Sequence, residues 1–584
     1  MTQRALSRLE EARRRRPGAG AAARLLRSLA KRSFSDASSL IRFHDAVLFL
    51  RAYPHSRAVL RLCENILSTF LMCVEKLAAS GADLSAFDHP EVSGISETSV
   101  TTDYSYDVVR WLKRRFGRRV AIDWEGYEAD DRLRALLPAF LPLLAEEALE
   151  DANVPYRDYL QARVRRGFGG QDDLSWLLDR IDSLALPAGE KAERYDALGL
   201  SIVWKLGGGR ATRTRMRRPA RRTFFHDEPL LTRRDVSLAE EFASSPLPIR
   251  RLSRREAAAI LETAREATAL RYREYYAFTY GDTGSILQAD VGRGLEITLV
   301  GAEADRRLPL RASYGGFLVK NGVPIGYFEA LALFERMEVG FNLYYAFREG
   351  ESAWTFARSL KFLRQALGVT SFSLDPYQIG YENEEAIASG AFWFYRKLGF
   401  RSTDPQLRAL TAREEAKLAA DSAYRTPSSV LRRLAAHNLL YEVERPLTPT
   451  LSRREREKRR GSTVESSEVP WDRFHVRNIA LAVVRRMARE FGGDAARFRS
   501  VSQMRVATAL GTAARRWSAD EHRVFADLAP VLDLIPDLPR WPKGDRDAVA
   551  EVVRAKAGRL ESRYLRVMQR HARLREALLH LGSR

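Results

Sequence analysis

Residues 314–345 read YGGFLVKNGVPIGYFEALALFERMEVGFNLYY, and this stretch decides the fold. Asn321-Gly322 suits a two-residue type I′ turn, whose central positions both need positive φ. The runs 317–320 and 323–333 on either side therefore predict a hairpin. A further strand is predicted over 337–345. Working outward, the pattern becomes a helix over 352–367, a strand over 370–374, a helix over 384–398 and a strand beginning at Phe400. Upstream lie a strand at 295–300 (LEITLV) and a helix at 254–272 that carries Ala258, Leu261, Ala264 and Ala269 on one face. Such alternation of helix and strand predicts an α/β (α+β) domain over 249–410, flanked by helical N- and C-terminal regions.

The flanks read differently. Over 36–206, Val59, Leu62, Ile66, Phe70, Cys73, Val74 and Leu77 recur at three- and four-residue steps, one face of an amphipathic helix. A second helix is predicted over 130–151, kinked or split by Pro138 and Pro142, and a third over 176–186, with one short strand at 120–124. Residues 1–35 read as a basic, flexible N-terminus. Residues 207–222, GGGRATRTRMRRPARR, hold three glycines and seven arginines. They predict a mobile basic linker over 207–248 rather than a phosphate-binding arm, because no aromatic side chain interleaves to stack on bases. Residues 411–584 read as helical, with one face formed by Val476, Ile479, Ala480, Val483, Val484 and Met487 and a last helix over 547–581. Between them, 446–461 (PLTPTLSRREREKRRG) lacks any apolar period, so a disordered insertion is expected over about 446–468. It resembles the translation of interspersed repeats between bacterial genes, and a bacterial source is expected with it.

The chain has 584 residues, enough for three domains, and its hydrophobic fraction of 45% suffices for packed cores. The net charge is +21, but arginine supplies 84 of the basic residues and lysine 12, a skew that a GC-rich genome also produces. A nucleic-acid partner is therefore an alternative rather than the favoured reading. Cys63 and Cys73, ten residues apart on one predicted helix, would be about 15 Å apart, too far to bridge. Free thiols, the lack of a membrane-length apolar run and the arginines that interrupt any signal core together predict a cytoplasmic protein without membrane insertion.

Three motifs in the mixed domain carry chemistry. FREGES (347–352) joins a strand to a helix, where exposed N–H groups and the helix dipole form an anion site. Gly350 would allow close approach there, and Ser352 would cap the helix. Glu349 and Glu351 bring negative charge to the same loop. NEEA spans 383–386. GAFWFYRKLGF spans 390–400, with Tyr395 beside an apolar stripe of Ile387, Ala391, Phe394 and Leu398. Glu338 and Glu329, on neighbouring predicted strands, are the best-placed carboxylates for a general base. The aromatic set Tyr272, Tyr275, Tyr276, Phe278 and Tyr280 reads first as core and second as a pocket lining. The chain carries no HExxH, no zinc-spaced cysteines and no GxxxxGK[ST], and no metal is expected.

In the order of its elements and in these motifs, 250–402, about a quarter of the chain, resembles the GNAT superfamily of acyl-CoA-dependent N-acyltransferases. The resemblance implies a mixed β-sheet for this domain. It implies that the loop with Arg348, Gly350, Ser352 and Ala353 cradles the CoA pyrophosphate through backbone amides. It implies that Asn383 lies beside the cofactor, and that Tyr395, in a Tyr-x-x-x-Gly-Phe ending, protonates the departing thiolate. The expected activity is direct transfer of an acyl group, acetyl first among them, from acyl-CoA to an amine. The alternative is a catalytically inactive scaffold of the same fold that binds nucleic acid or another protein.

Overall fold

The computed structural model describes residues 2–14, 19–165, 171–443, 471–511 and 517–583. Three short strands, β1 (Ser99–Thr102), β2 (Val120–Ile122) and β3 (Ile202–Lys205), form a small antiparallel sheet in the order β1-β3-β2 among the N-terminal helices. The large sheet has nine strands: β4 (Ile249–Arg251), β5 (Leu287–Asp290), β6 (Leu295–Gly301), β7 (Ala312–Lys320), β8 (Val323–Leu333), β9 (Arg336–Leu343), β10 (Ser371–Leu374), β11 (Arg401–Ser402) and β12 (Leu439–Glu442). Their spatial order is β11-β12-β10-β9-β8-β7-β6-β5-β4. All neighbours are antiparallel except β9 and β10, so the sheet is mixed and the protein is α+β.

The predicted hairpin is β7–β8. Asn321 (φ 48°) and Gly322 (φ 83°) both take left-handed conformations, as the type I′ turn requires. The Asn321 amide also ties the turn to distant chain. It accepts from the Phe224 N–H at 2.8 Å and donates to the carbonyls of Ala52 (2.8 Å) and Phe224 (3.0 Å). Every residue of β7 is buried. Ala312, Tyr314 and Leu318 face the core that holds the helix Ser352–Leu367, while Phe317 and Val319 face the helix Arg254–Ala269. Cover on both faces explains why this strand reads as a near-continuous apolar run.

One feature of the sheet positions the site. β9 and β10 pair in parallel through Arg336, Met337 and Glu338 against Ser371, Phe372 and Ser373. Beyond these residues β9 continues to Leu343 on β8, whereas β10 turns away into the short helix Pro376–Ile379. The strands part and leave an edge of β9 open.

Several expectations are corrected. The stretch expected as a flexible N-terminus forms the helices Thr2–Arg14 and Ala19–Ala30. Their Leu6, Leu9, Leu26 and Leu29 are fully buried, whereas Arg4, Arg8, Arg24 and Arg27 are exposed on the opposite faces. The expected linker at 207–248 is packed at its start, where Thr212, Arg213 and Thr214 are buried. Arg213 is buried against Asp45 (3.0 Å) and donates to the Glu91 carbonyl. Thr214 bonds the buried His44 ring at 3.0 Å. A buried arginine needs a carboxylate and carbonyls around it, and helix Ala37–Ala52 and the 89–97 turn supply them. The boundary at 410 cuts the sheet, because β12 inserts between β10 and β11 from beyond it.

Predicted long helices are also broken. Residues 384–398 form two short helices that meet at Gly390 (φ 71°). The stretch 547–581 is three helices, Lys543–Ala557, Glu561–Arg570 and Ala572–Gly582. Cys63 and Cys73 lie on two helices, Arg57–Ser68 and Leu71–Ala79, and both are free thiols. The proline-split helix appears as Asp130–Leu136 and Leu143–Asp151. The insertion expected over 446–468 lies outside the described residues. Among the described residues no helix is long and apolar enough to cross a membrane.

Candidate functional site

Where β9 and β10 part, the side chain of Gln378 takes the place of a strand. Asp375 caps the short helix by accepting from the Tyr377 N–H, and Pro376 starts it, which aims Gln378 at the open edge of β9. The Gln378 Oε1 accepts from the Phe341 N–H at 3.3 Å, and its Nε2 donates to the Phe341 carbonyl at 2.9 Å. The second Nε2 proton goes to the Tyr395 hydroxyl, also at 2.9 Å. Because the Tyr395 oxygen accepts this bond, its own proton is left to donate elsewhere.

The break at Gly390 turns the helix Ala391–Arg396 so that Tyr395 packs against Phe356, with ring centroids 5.3 Å apart, and against Phe400 at 6.2 Å. Burial pushes the Tyr395 pKa up, and the Gln378 bond only partly opposes it. The phenol is therefore held protonated well past neutral pH.

Beside Tyr395 is a cavity of about 330 Å³, lined among others by Arg273, Asn342, Arg348, Ser352, Gln378 and Asn383. Arg348 donates to the Leu343 carbonyl at 3.2 Å and pairs with Glu385. Ser352 donates to the Arg348 carbonyl at 2.6 Å. Asn383 caps the helix Glu384–Ser389, accepting from the Ala386 N–H at 3.1 Å and donating to the Tyr377 carbonyl at 3.0 Å. The NEEA spacing thus has a structural cause: Asn383 and Ala386 are the two ends of a capping bond.

The structure brings Tyr395, Arg348, Ser352 and Asn383 to one cavity and leaves the other candidates outside it. A Cβ on Gly350 would lie 2.5 Å from the Tyr53 hydroxyl, so Gly350 backs onto a remote helix rather than onto the cavity. Ala353 is buried in the core. Ser352 is the first helical residue, and Glu351, not Ser352, occupies the N-cap position. The negative charge of Glu351 is answered internally. It is fully buried and bonds Lys320 Nζ at 2.8 Å and Arg293 Nε at 2.8 Å. Burial works against its ionisation, but the Lys320 charge and these bonds prevail and bring its pKa down to about 2. Lys320 is pushed down to about 8 by burial, against the pull of Glu351, and the pair is ionised at neutral pH. Glu349 lies 3.6 Å from Arg13.

The two carboxylates lie off this cavity. Glu329 on β8 stands in a row with Gly315 and Gly340 across three strands. A Cβ on Gly340 would lie 3.8 Å from both Glu329 and Gln378, so Glu329 stands across a bare glycine from the clamp. Desolvation and then Glu338 raise its pKa, and Arg311 opposes them. Glu338 on β9 faces a second cavity, with Arg311 at 3.4 Å. Of the aromatic set, Tyr275 and Phe278 are buried, while Tyr276 is exposed. Gln378 and Arg273 were not singled out from the sequence. The Asp375-Pro376 helix start is a readable signal for the first, and nothing in the sequence points to the second. Comparison finds no family model, no curated protein and no solved structure that matches this chain.

Proposed function

We propose that the cavity beside Tyr395 binds an acyl-CoA, and that the protein transfers the acyl group, acetyl in the first instance, to an amine. The observation that carries this reading is the Gln378 clamp. It fixes a buried phenol with its proton directed away from the clamp, at the rim of a cavity that also presents Arg348 and Ser352. The gap where β9 and β10 part suits a pantetheine arm, which would run beside the Gln378 side chain that fills the β9 edge at Phe341. Arg348 and the start of the helix Ser352–Leu367 suit the pyrophosphate. This division moves the phosphate contacts to the Ser352 side of the loop and away from Gly350.

In the reaction the amine nitrogen attacks the thioester carbonyl, the C–S bond breaks and the thiolate takes the Tyr395 proton. The attacking nitrogen loses its own proton to Glu329, directly or through water. No covalent enzyme intermediate is involved. The test is a thermal-shift titration with acetyl-CoA, followed by an amine screen read by thiol release. Acetyl-CoA at millimolar concentration should raise the Tm. Absence of any shift would remove the reading.

A further inference from the structure

The second cavity, about 320 Å³, lies on the same face of β9 as the first. Glu338, Gly340 and Asn342 alternate onto that face. Glu338 lines the second cavity and Asn342 the first, and Gly340 between them carries no side chain to separate the two. Four residues of strand span about 13 Å. A thioester held at the parting of β9 and β10 would therefore lie between the two cavities, open to each.

The walls of the second cavity are apolar on one side, with Leu331, Trp471 and Phe474, and strongly charged on the other. Arg311 pairs with Glu338 at 3.4 Å. Arg336 donates to Ser373 Oγ at 3.1 Å and to the Phe474 carbonyl at 3.2 Å, and feels the charges of Glu338 and Asp472 without a close ion pair to either among the described residues. Arg477 is exposed at the rim and likewise has no ion-pair partner among the described residues. Burial first, then the charges of Arg336 and Arg477, push the His475 pKa down, so the ring is neutral. Three arginines thus face Glu338 and Asp375, and the Asp375 carboxylate is already engaged as a helix cap. The cavity has cationic groups to spare and one carboxylate suited to an ammonium.

We infer that this cavity holds the acceptor, and that the acceptor is an amine bearing an anionic group, carboxylate or phosphate, which Arg477 and Arg336 bind while Glu338 faces the amine. The inference rests on the transferase reading for the word acceptor; the preference for an anionic amine rests on the cavity alone. An alkylamine without an anionic group would offer nothing to Arg477 or Arg336, and an anion without an amine would leave Glu338 opposing it.

Ligand-observed saturation-transfer NMR on the full chain, without acetyl-CoA, reads the site directly. The probes are ω-amino carboxylates from glycine to aminohexanoate, O-phosphoethanolamine and the alkylamines of matched length. The anionic amines should bind at least about 10-fold more tightly than their alkylamine partners, the worth of one charge-assisted pair. Arg477→Ala should erase that margin and Arg477→Lys should restore most of it, which separates lost charge from misfolding. Equal binding of alkylamines, no binding of any probe to the wild type, or an unchanged margin in Arg477→Ala overturns the inference. Carboxylate and phosphate arms that differ by more than this factor identify which anion the site takes. With acetyl-CoA present, thiol release should follow the same order of probes. If the anionic amines bind but acetyl-CoA does not shift the Tm, the acceptor role falls with the transferase reading, and the anionic-amine site stands alone.

Discussion

Two segments of the mixed domain are read from the sequence as parts of one site, the loop 347–352 as the weaker signal and 390–400 as the stronger, and they meet opposite fates. The loop 347–352 has its glycine covered by Tyr53 from the N-terminal helices, and its Glu351 is sealed into a buried ion cluster. The segment 390–400 turns at Gly390 and delivers Tyr395 to the rim of a cavity. Each departs locally from the predicted backbone, at Gly390 and at the Glu351 cap. They differ in what remote chain lies on top, and spacing says nothing about that.

The largest effect expected from this contrast is on stability. Glu351→Gln removes the partner of Lys320, which is only 1% exposed, and should cost about 3–5 kcal/mol, the usual penalty for stranding a buried charge. Chemical denaturation of the two proteins measures it. The same pair sets a pH dependence. Because the folded Glu351 pKa lies near 2 against an ordinary 4.5, its contribution is complete above about pH 4.5 and drains away as pH falls toward 2. The Glu351→Gln protein should lack that share of the acid limb. Equal stability of the two proteins at neutral pH would mean that the loop is not packed as described.

Tyr395→Phe comes next. It keeps the ring packing and removes the proton, so turnover should fall about 100-fold while acetyl-CoA still shifts the Tm. Since burial raises the phenol pKa above its ordinary 10.0, wild-type turnover should show no loss assignable to Tyr395 as pH approaches that value. Turnover at the wild-type rate in Tyr395→Phe would reduce the residue to core.

A smaller effect separates the two sides of the loop. Gly350→Ala forces a methyl group against Tyr53 and should cost about 1–3 kcal/mol with acetyl-CoA affinity unchanged. Arg348→Ala should weaken acetyl-CoA about 10-fold with little change in Tm. The reverse pattern, measured by calorimetric titration, would return the pyrophosphate to Gly350. Smallest is Asn383→Ala, which loses a helix cap and should cost about 1 kcal/mol. A loss of acetyl-CoA affinity well beyond that would make Asn383 a ligand contact as well as a cap.

What the sequence disclosed follows from the range of the interactions involved. The Asn321-Gly322 turn and the helix Ser352–Leu367 depend on neighbours a few residues away, and both were legible. The burial of Arg213 depends on Asp45, and that of Glu351 on Lys320 and Arg293, partners found only once the chain has folded back on itself. The same holds for β12, whose pairing with β10 no local pattern announces. At the site, Tyr395 was legible because its motif is local. For Gln378, which orients it, only the Asp375-Pro376 helix start is legible, because its role exists only where two strands part. Arginine content misled twice, at the N-terminus and at 207–248, since a basic composition describes the exposed face of a segment and not the leucines or carbonyls behind it.

The insertion of β12 between β10 and β11 sets a schedule for synthesis. β11 pairs only with β12, and β12 is made last of the three. Until Glu442 has emerged, the outer edge of β10 has no native partner, although roughly 70 residues have followed it out of the ribosome. At ~5–20 residues per second that interval lasts on the order of several seconds, long against the microseconds of hairpin closure. For that time Ser371–Leu374, a short strand with its hydrogen-bonding edge bare, is a template for any other extended chain nearby. The fold thus leaves the β10 edge exposed to misassembly during translation, one strand from the candidate site.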